Sequence, residues 1–137
     1  MRLSLAAAAA VMLVGCGGSE ANLATFSGTW QGHTRGLVIS RSGLARESID
    51  DGCCHLGLAL RFRLSDPHGT AHAATAIATV TAVRVGEKHL FTSANPAPHV
   101  GQSRAIRLRD GVITETITGT NYCSPTAKHW VCSSSFR

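Results

Sequence analysis

Leu56-Gly57-Leu58-Ala59-Leu60-Arg61-Phe62-Arg63-Leu64 is the stretch that decides the fold of this 137-residue chain. Five large apolar residues alternate here with glycine, alanine and two arginines. A period of two puts Leu56, Leu58, Leu60, Phe62 and Leu64 on one face of a strand and both arginines on the other. Outward from it the pattern continues. Residues 73–85 are dense in threonine and β-branched side chains, which favour strands. Simple alternation there groups Ile77, Val83 and Val85 with Thr79 and Thr81, and Ala76, Ala78, Val80 and Ala82 on the other face. Strands are also predicted over residues 28–39 and 44–49, separated by Ser40-Arg41-Ser42-Gly43. Asp50-Asp51-Gly52 reads as a turn, Asp66-Pro67-His68-Gly69 as a break, and residues 86–101 as a loop with at most one short strand. Asp110-Gly111, between residues 105–109 and 112–117, is a type I′ hairpin signal.

One position in that hairpin is awkward. Glu115 has the parity of Ile113 and Ile117, so alternation aims a carboxylate at the core. Either a bulge resets the register, or Glu115 pairs inside with an arginine or histidine. The tail, residues 122–136, is expected to be extended and stapled down. The fold class is therefore all-β: a small antiparallel up-and-down meander or barrel of about six strands, stapled by two disulfides.

The N-terminus indicates the compartment. Met1-Arg2 is a short positive region, and an apolar run of about a dozen residues follows, broken only by Ser4. The run is shorter than the roughly 20 apolar residues of a membrane span, and it has the length of a signal-peptide core. It ends in Leu13-Val14-Gly15-Cys16. These four residues resemble the lipobox of bacterial lipoproteins. The resemblance implies cleavage between Gly15 and Cys16, lipid on Cys16, and attachment to the extracytoplasmic face of a cell membrane. The other reading is an ordinary secretory signal with a chance cysteine. Gly17 to Asn22 is small and polar, as in a spacer between lipid and domain. The expected organisation is a signal peptide over 1–15, a lipidated flexible tether over 16–25, and a single β domain over 26–137.

Four cysteines remain after Cys16: Cys53, Cys54, Cys123 and Cys132. An even number in a small exported domain predicts two disulfides. Adjacent cysteines rarely bond each other, so Cys53 and Cys54 are each expected to bond one of Cys123 and Cys132, in an order the sequence leaves open. Loops of roughly 70 residues would then be closed.

Two further resemblances are carried by short motifs. Gly28-Thr29-Trp30 is similar to the Gly-x-Trp that opens lipocalin-type barrels, and the alternative is a core tryptophan beside a flexible glycine. The opening Gly28-Thr29-Trp30-Gln31-Gly32-His33, the central Asp51-Gly52-Cys53-Cys54 and the closing Tyr122-Cys123 resemble small lipoproteins of high-GC Gram-positive bacteria that carry no assigned function. That likeness implies no chemistry.

Chemistry is sparsely marked. The net charge of +5 falls to +4 without Arg2, and the arginines are scattered rather than clustered in a tail. Aromatic residues for base stacking are nearly absent, so no nucleic-acid partner is expected. His68-x3-His72 has a spacing used by metal ligands, but Asp66-Pro67 and Gly69 place it in a loop. Cys53, Cys54, His55, His129 and Cys132 could compose a mixed cysteine–histidine zinc site. The adjacent cysteines lack the usual spacing, so no metal and no cofactor is expected. No Gly-x-Ser-x-Gly motif is present. Among the carboxylates only Glu47 and Glu115 fall inside strands, and nothing in the sequence brings them together as a glycosidase would require. The expected function is a non-enzymatic binding or envelope-organising domain, held at a membrane through Cys16, with an envelope protein or polymer as partner. Because the Leu/Phe set is large enough to fill so small a barrel, a surface partner is favoured over an internal ligand. The alternative is a metal- or thiol-dependent envelope enzyme or redox protein using Cys53, Cys54, His55 and His129.

Overall fold

The computed structural model describes residues 18–52, 55–127 and 132. Residues 1–15, read above as a signal peptide, together with Cys16, Cys53, Cys54, His129 and Trp130, lie outside the described residues. A short 3-10 helix, Leu23–Phe26, precedes eight strands: β1 Gly28–Gly32, β2 Arg35–Ile39, β3 Leu44–Asp50, β4 Leu56–Gly69, β5 Ala73–Val85, β6 Ser103–Arg109, β7 Val112–Glu115 and β8 Thr120–Cys123. Each pairs antiparallel with the next, and Gln31 of β1 pairs with Cys123 of β8 to close an up-and-down barrel.

The all-β, up-and-down expectation holds, but there are eight strands rather than about six. Residues 28–39 form two strands, because Gly32 faces Arg35 and His33-Thr34 makes a two-residue turn. Thr34 takes φ 54° there. Such turns usually announce themselves with Asn-Gly or Asp-Gly, and His-Thr carries no such signal. The remaining strand is β8, from the stretch read as tail. At the expected hairpin, Asp110 (φ 49°) and Gly111 (φ 79°) both adopt the left-handed conformation a type I′ turn requires.

In β4 the alternation holds as expected from Leu58 to Leu64 but not at Leu56, which a register shift pairs with the exposed Asp50 and leaves only half-buried. Leu58, Leu60, Phe62 and Leu64 point into the barrel and are buried, while Arg61 and Arg63 are exposed. The strand continues through Asp66-Pro67 to Gly69, with its register shifting between Ser65 and His68. In β5 simple alternation fails. Phe62 pairs with Val80 but Arg61 pairs with Ala82, so one residue of β5 is extra. Bulges of this kind reverse the facing of everything beyond them. Ala74, Ala76, Ala78 and Val80 therefore point inward before the bulge, and Val83 and Val85 pack against the core after it. Ile77 and Thr79 share the outer side with Arg84.

The interior is filled by these side chains with Trp30, Leu37, Ile39, Ile106, Leu108, Ile113 and Tyr122. One barrel end is closed by the 3-10 helix. Phe26 is fully buried there, and its carbonyl accepts a hydrogen bond from Trp30 Nε1 at 3.0 Å. This corrects the extent of the tether. Glu20 forms a β-bridge with Thr70, Ala21 N–H donates to the Gly69 carbonyl at 3.0 Å, and Leu23 packs against the core. Residues 20–25 thus pack on the barrel, although they fall within the stretch 16–25 expected to be flexible.

One disulfide is seen among the described residues, joining Cys123 to Cys132 with Cα atoms 5.9 Å apart. This corrects the expected pairing of those two cysteines with Cys53 and Cys54. Nine residues of separation span that Cα distance easily once β8 has ended, so proximity along the chain prevails over the long-range alternative.

Candidate functional site

The up-and-down order places alternate connections at opposite ends. The turns 33–34 and 116–119, the connection from β3 to β4 and the loop 86–102 lie at one end, the mouth. The 3-10 helix and the turns after β2, β4 and β6 lie at the other. A cavity of about 460 Å³ opens at the mouth. Its apolar wall includes Ile49, Leu58, Leu90, Phe91 and Ile117, and its polar groups include His33, Arg35, Asp51 and Thr118. The loop 86–102 supplies Leu90 and Phe91, with residues 88–90 wound into a 3-10 turn. The large apolar set does fill the barrel shaft, as expected, but it stops short of the mouth.

Beneath this cavity the barrel holds a polar cluster. Strand β3 alternates strictly, with Ala45, Glu47 and Ile49 buried between exposed neighbours. Period two thus carries Glu47 inward, to 2% exposure. Glu115 on β7 is carried inward behind Ile113 and is fully buried. No bulge resets the register, and Glu115 points inside, but its direct hydrogen-bond donors are not the arginine or histidine expected from the sequence. Its direct donors are the N–H groups of Ile117 and Thr118 and the Thr118 hydroxyl, the last at 2.7 Å. Arg35, on β2, adds its positive charge nearby and donates from Nη1 to the Thr120 hydroxyl.

The two carboxylates, distant in sequence, meet at Thr118. Its Oγ1 lies 3.1 Å from Glu47 Oε1 and 2.7 Å from Glu115 Oε2. The Tyr122 hydroxyl donates to the same Glu47 Oε1. A hydroxyl has one proton, so Thr118 satisfies only one carboxylate at a time. Glu115 has three donors, two of them fixed backbone amides. Glu47 has Tyr122 and a share in Thr118, and its Oε2 is buried without a hydrogen-bond partner. The pair therefore holds its proton on Glu47 and its negative charge on Glu115.

Titration follows this geometry. Burial, then repulsion from Glu115, pushes the Glu47 carboxyl up to about 7, against the opposing hydrogen bonds from Tyr122 and Thr118 and the charge of Arg35. Burial likewise raises Glu115, and the donors from Thr118 and Ile117 oppose it. Burial and the adjacent carboxylates push Tyr122 well above its ordinary range, so its hydroxyl remains a donor.

Of this cluster, Arg35 and Thr118 line the cavity, whereas Glu47 and Glu115 lie behind them. The carboxylates thus position the floor and do not present themselves to a bound molecule. A sequence signal for convergence was available only in part. The parity of Glu47 with Ala45 and Ile49 shows that it points inward, but no local pattern shows which strand lies across from it.

Among the described residues, the others singled out in the sequence do not assemble into a site. Asp51 N–H bonds the His55 carbonyl at 3.0 Å across the β3–β4 turn, and the exposed His55 ring lies 3.9 Å from Asp51 Oδ2. Cys132 is bonded to Cys123 and so is not a thiolate donor for the mixed zinc arrangement. His68 belongs to β4 rather than to a loop, and both it and His72 are exposed. Among the described residues, no three or more histidine, cysteine or acidic side chains group as metal ligands would.

Comparison with family models, with curated proteins and with solved structures finds no match to this chain.

Proposed function

We propose that this chain is a lipid-anchored, extracytoplasmic binding protein whose barrel mouth takes a small amphipathic ligand without transforming it. The observation that carries the reading is the 460 Å³ cavity at the mouth, a volume within the range of small-molecule sites. Its wall carries aliphatic and aromatic side chains together with a comparable number of polar ones, and two of the polar residues, Arg35 and Thr118, are held in place by the buried hydrogen-bonded cluster. Pre-organised polar groups among apolar ones give orientation to a ligand at little entropic cost. The lipobox-like Leu13-Val14-Gly15-Cys16 supports the anchor. Chain direction supports the arrangement: the N-terminal segment joins the barrel beside Thr70, at the end opposite the mouth. A lipid on Cys16 would leave the mouth accessible.

The test is a titration with 1-anilinonaphthalene-8-sulfonate, an apolar fluorophore bearing one anionic group. The protein would be the chain from residue 16 onward with Cys16→Ser, which retains every strand pairing described above. Saturable binding that Ile117→Trp abolishes, with unfolding unchanged, is the expected result. Binding that survives the filling of the mouth would refute the site.

A further inference from the structure

We infer that the outer face of β3, β4 and β5 is a docking surface for the anionic phospholipid bilayer that carries the anchor. Arg46 of β3 and Arg61 of β4 are direct cross-strand partners. Arg63 lies two residues along from Arg61, and Arg84 of β5 pairs with Ala59, two residues before Arg61. All four are exposed, and none has a carboxylate partner among the described residues. Like charges directly opposite each other weaken a sheet. The acid that could relieve them, Glu47, is turned inward by strand parity. Asp50 and Asp66 stand only at the two margins of the face. A depression of about 560 Å³ runs along it, lined in part by Val38, Arg46, Arg61 and Arg84.

Three aliphatic side chains emerge among these cations. Val38 is 41% exposed, Leu44 is 50% and Ile77 is 37%. Val38 pairs with Arg46 and Leu44 pairs with Arg63, so charge and hydrocarbon alternate across the face. Guanidinium groups suit phosphate oxygens, and short aliphatic side chains suit the boundary between headgroups and acyl chains.

The course of the N-terminus selects a bilayer over a soluble polymer. Glu20 is bridged to Thr70, at the tip of the β4–β5 hairpin whose strands carry Arg61, Arg63 and Arg84. Cys16 is four residues away, at most about 14 Å of extended chain. Lipid there would hold the tip of this hairpin at the membrane surface, from which the basic face of its strands can settle onto the bilayer. The inference rests on the reading that Cys16 carries lipid.

The experiment uses the chain from residue 16 with Cys16→Ser and vesicles of phosphatidylcholine with or without 30% phosphatidylglycerol. Each basic side chain near an anionic surface strengthens binding about fivefold. Arg46→Gln/Arg61→Gln should therefore weaken binding to the anionic vesicles at least tenfold. The equally charged control Lys88→Gln/Arg104→Gln, away from the face, should change it less than threefold. Thermal unfolding of both doubles confirms folding. Equal losses in the two doubles, or no preference for phosphatidylglycerol, would overturn the inference. So would binding to a soluble polyphosphate chain with no binding to vesicles. Lipid on Cys16 is read separately from the mass of the native protein extracted from membranes. An unmodified Cys16 with intact vesicle binding removes the anchor and leaves the face. A lipidated Cys16 with no vesicle binding does the reverse.

Discussion

Replacing Glu47 by glutamine should abolish most of the pH dependence of this domain's stability. In the folded protein the Glu47 carboxyl keeps its proton up to about 7, whereas its ordinary value is 4.5. Between those two values the unfolded chain has released the proton and the native state still binds it. Stability therefore falls as pH rises through this window. The contribution is fully present below pH 4.5 and is lost as pH passes 7. At about 1.4 kcal/mol per pH unit, the loss is about 3 kcal/mol, or about 10–15 °C in Tm for a domain of this size. The raised Glu115 adds to it with the same sign. Glutamine is neutral at every pH. Its carbonyl can accept from Tyr122, and its amide can donate to Thr118. Urea unfolding at pH 4.5, 5.5, 6.5 and 7.5 should show wild-type stability decreasing across the series and Glu47→Gln nearly flat. Stability that rises with pH in the wild type, or a parallel decline in the variant, would refute the assignment of the proton to Glu47.

Three other outcomes follow from particular contacts. Non-reducing peptide mapping should recover Cys123 joined to Cys132, and reducing this bond should cost about 3 kcal/mol in urea unfolding; a cross-link from either residue to Cys53 or Cys54 would contradict the fold of the tail. Trp30→Phe removes the indole N–H that caps the Phe26 carbonyl at the closed end, and should destabilise by about 2 kcal/mol, while an unchanged urea midpoint would show that the plug is not held this way. Gly86→Ala would put a Cβ 1.7 Å from the Leu56 carbonyl oxygen, and because that neighbour is backbone the loss should be about 3 kcal/mol by thermal unfolding; a well-tolerated alanine would mean that β4 and β5 separate before Gly86.

The sequence alone determined what depends on neighbours a few residues apart. The Leu/Phe alternation of β4, the β-rich stretch that became β5, and the Asp110-Gly111 turn were all legible, because pleat and turn conformation are set locally. The inward parity of Glu115 was legible too, though not what it would meet. Only the tertiary structure decided the rest. Closure into eight strands required Thr34 to adopt a left-handed turn that its residue type does not advertise. One extra residue in β5 exchanged the faces of Val83 and Val85, and a bulge is visible only against the partner strand that it fails to match. The meeting of Glu47 with Glu115 at Thr118 depends on strand order around a closed barrel, and 71 residues separate Glu47 from Thr118. Cysteine pairing depends likewise on where β8 ends. For the bulge and for the carboxylate pair the deciding quantity is the placement of chain segments remote in sequence, and periodicity carries no information about it.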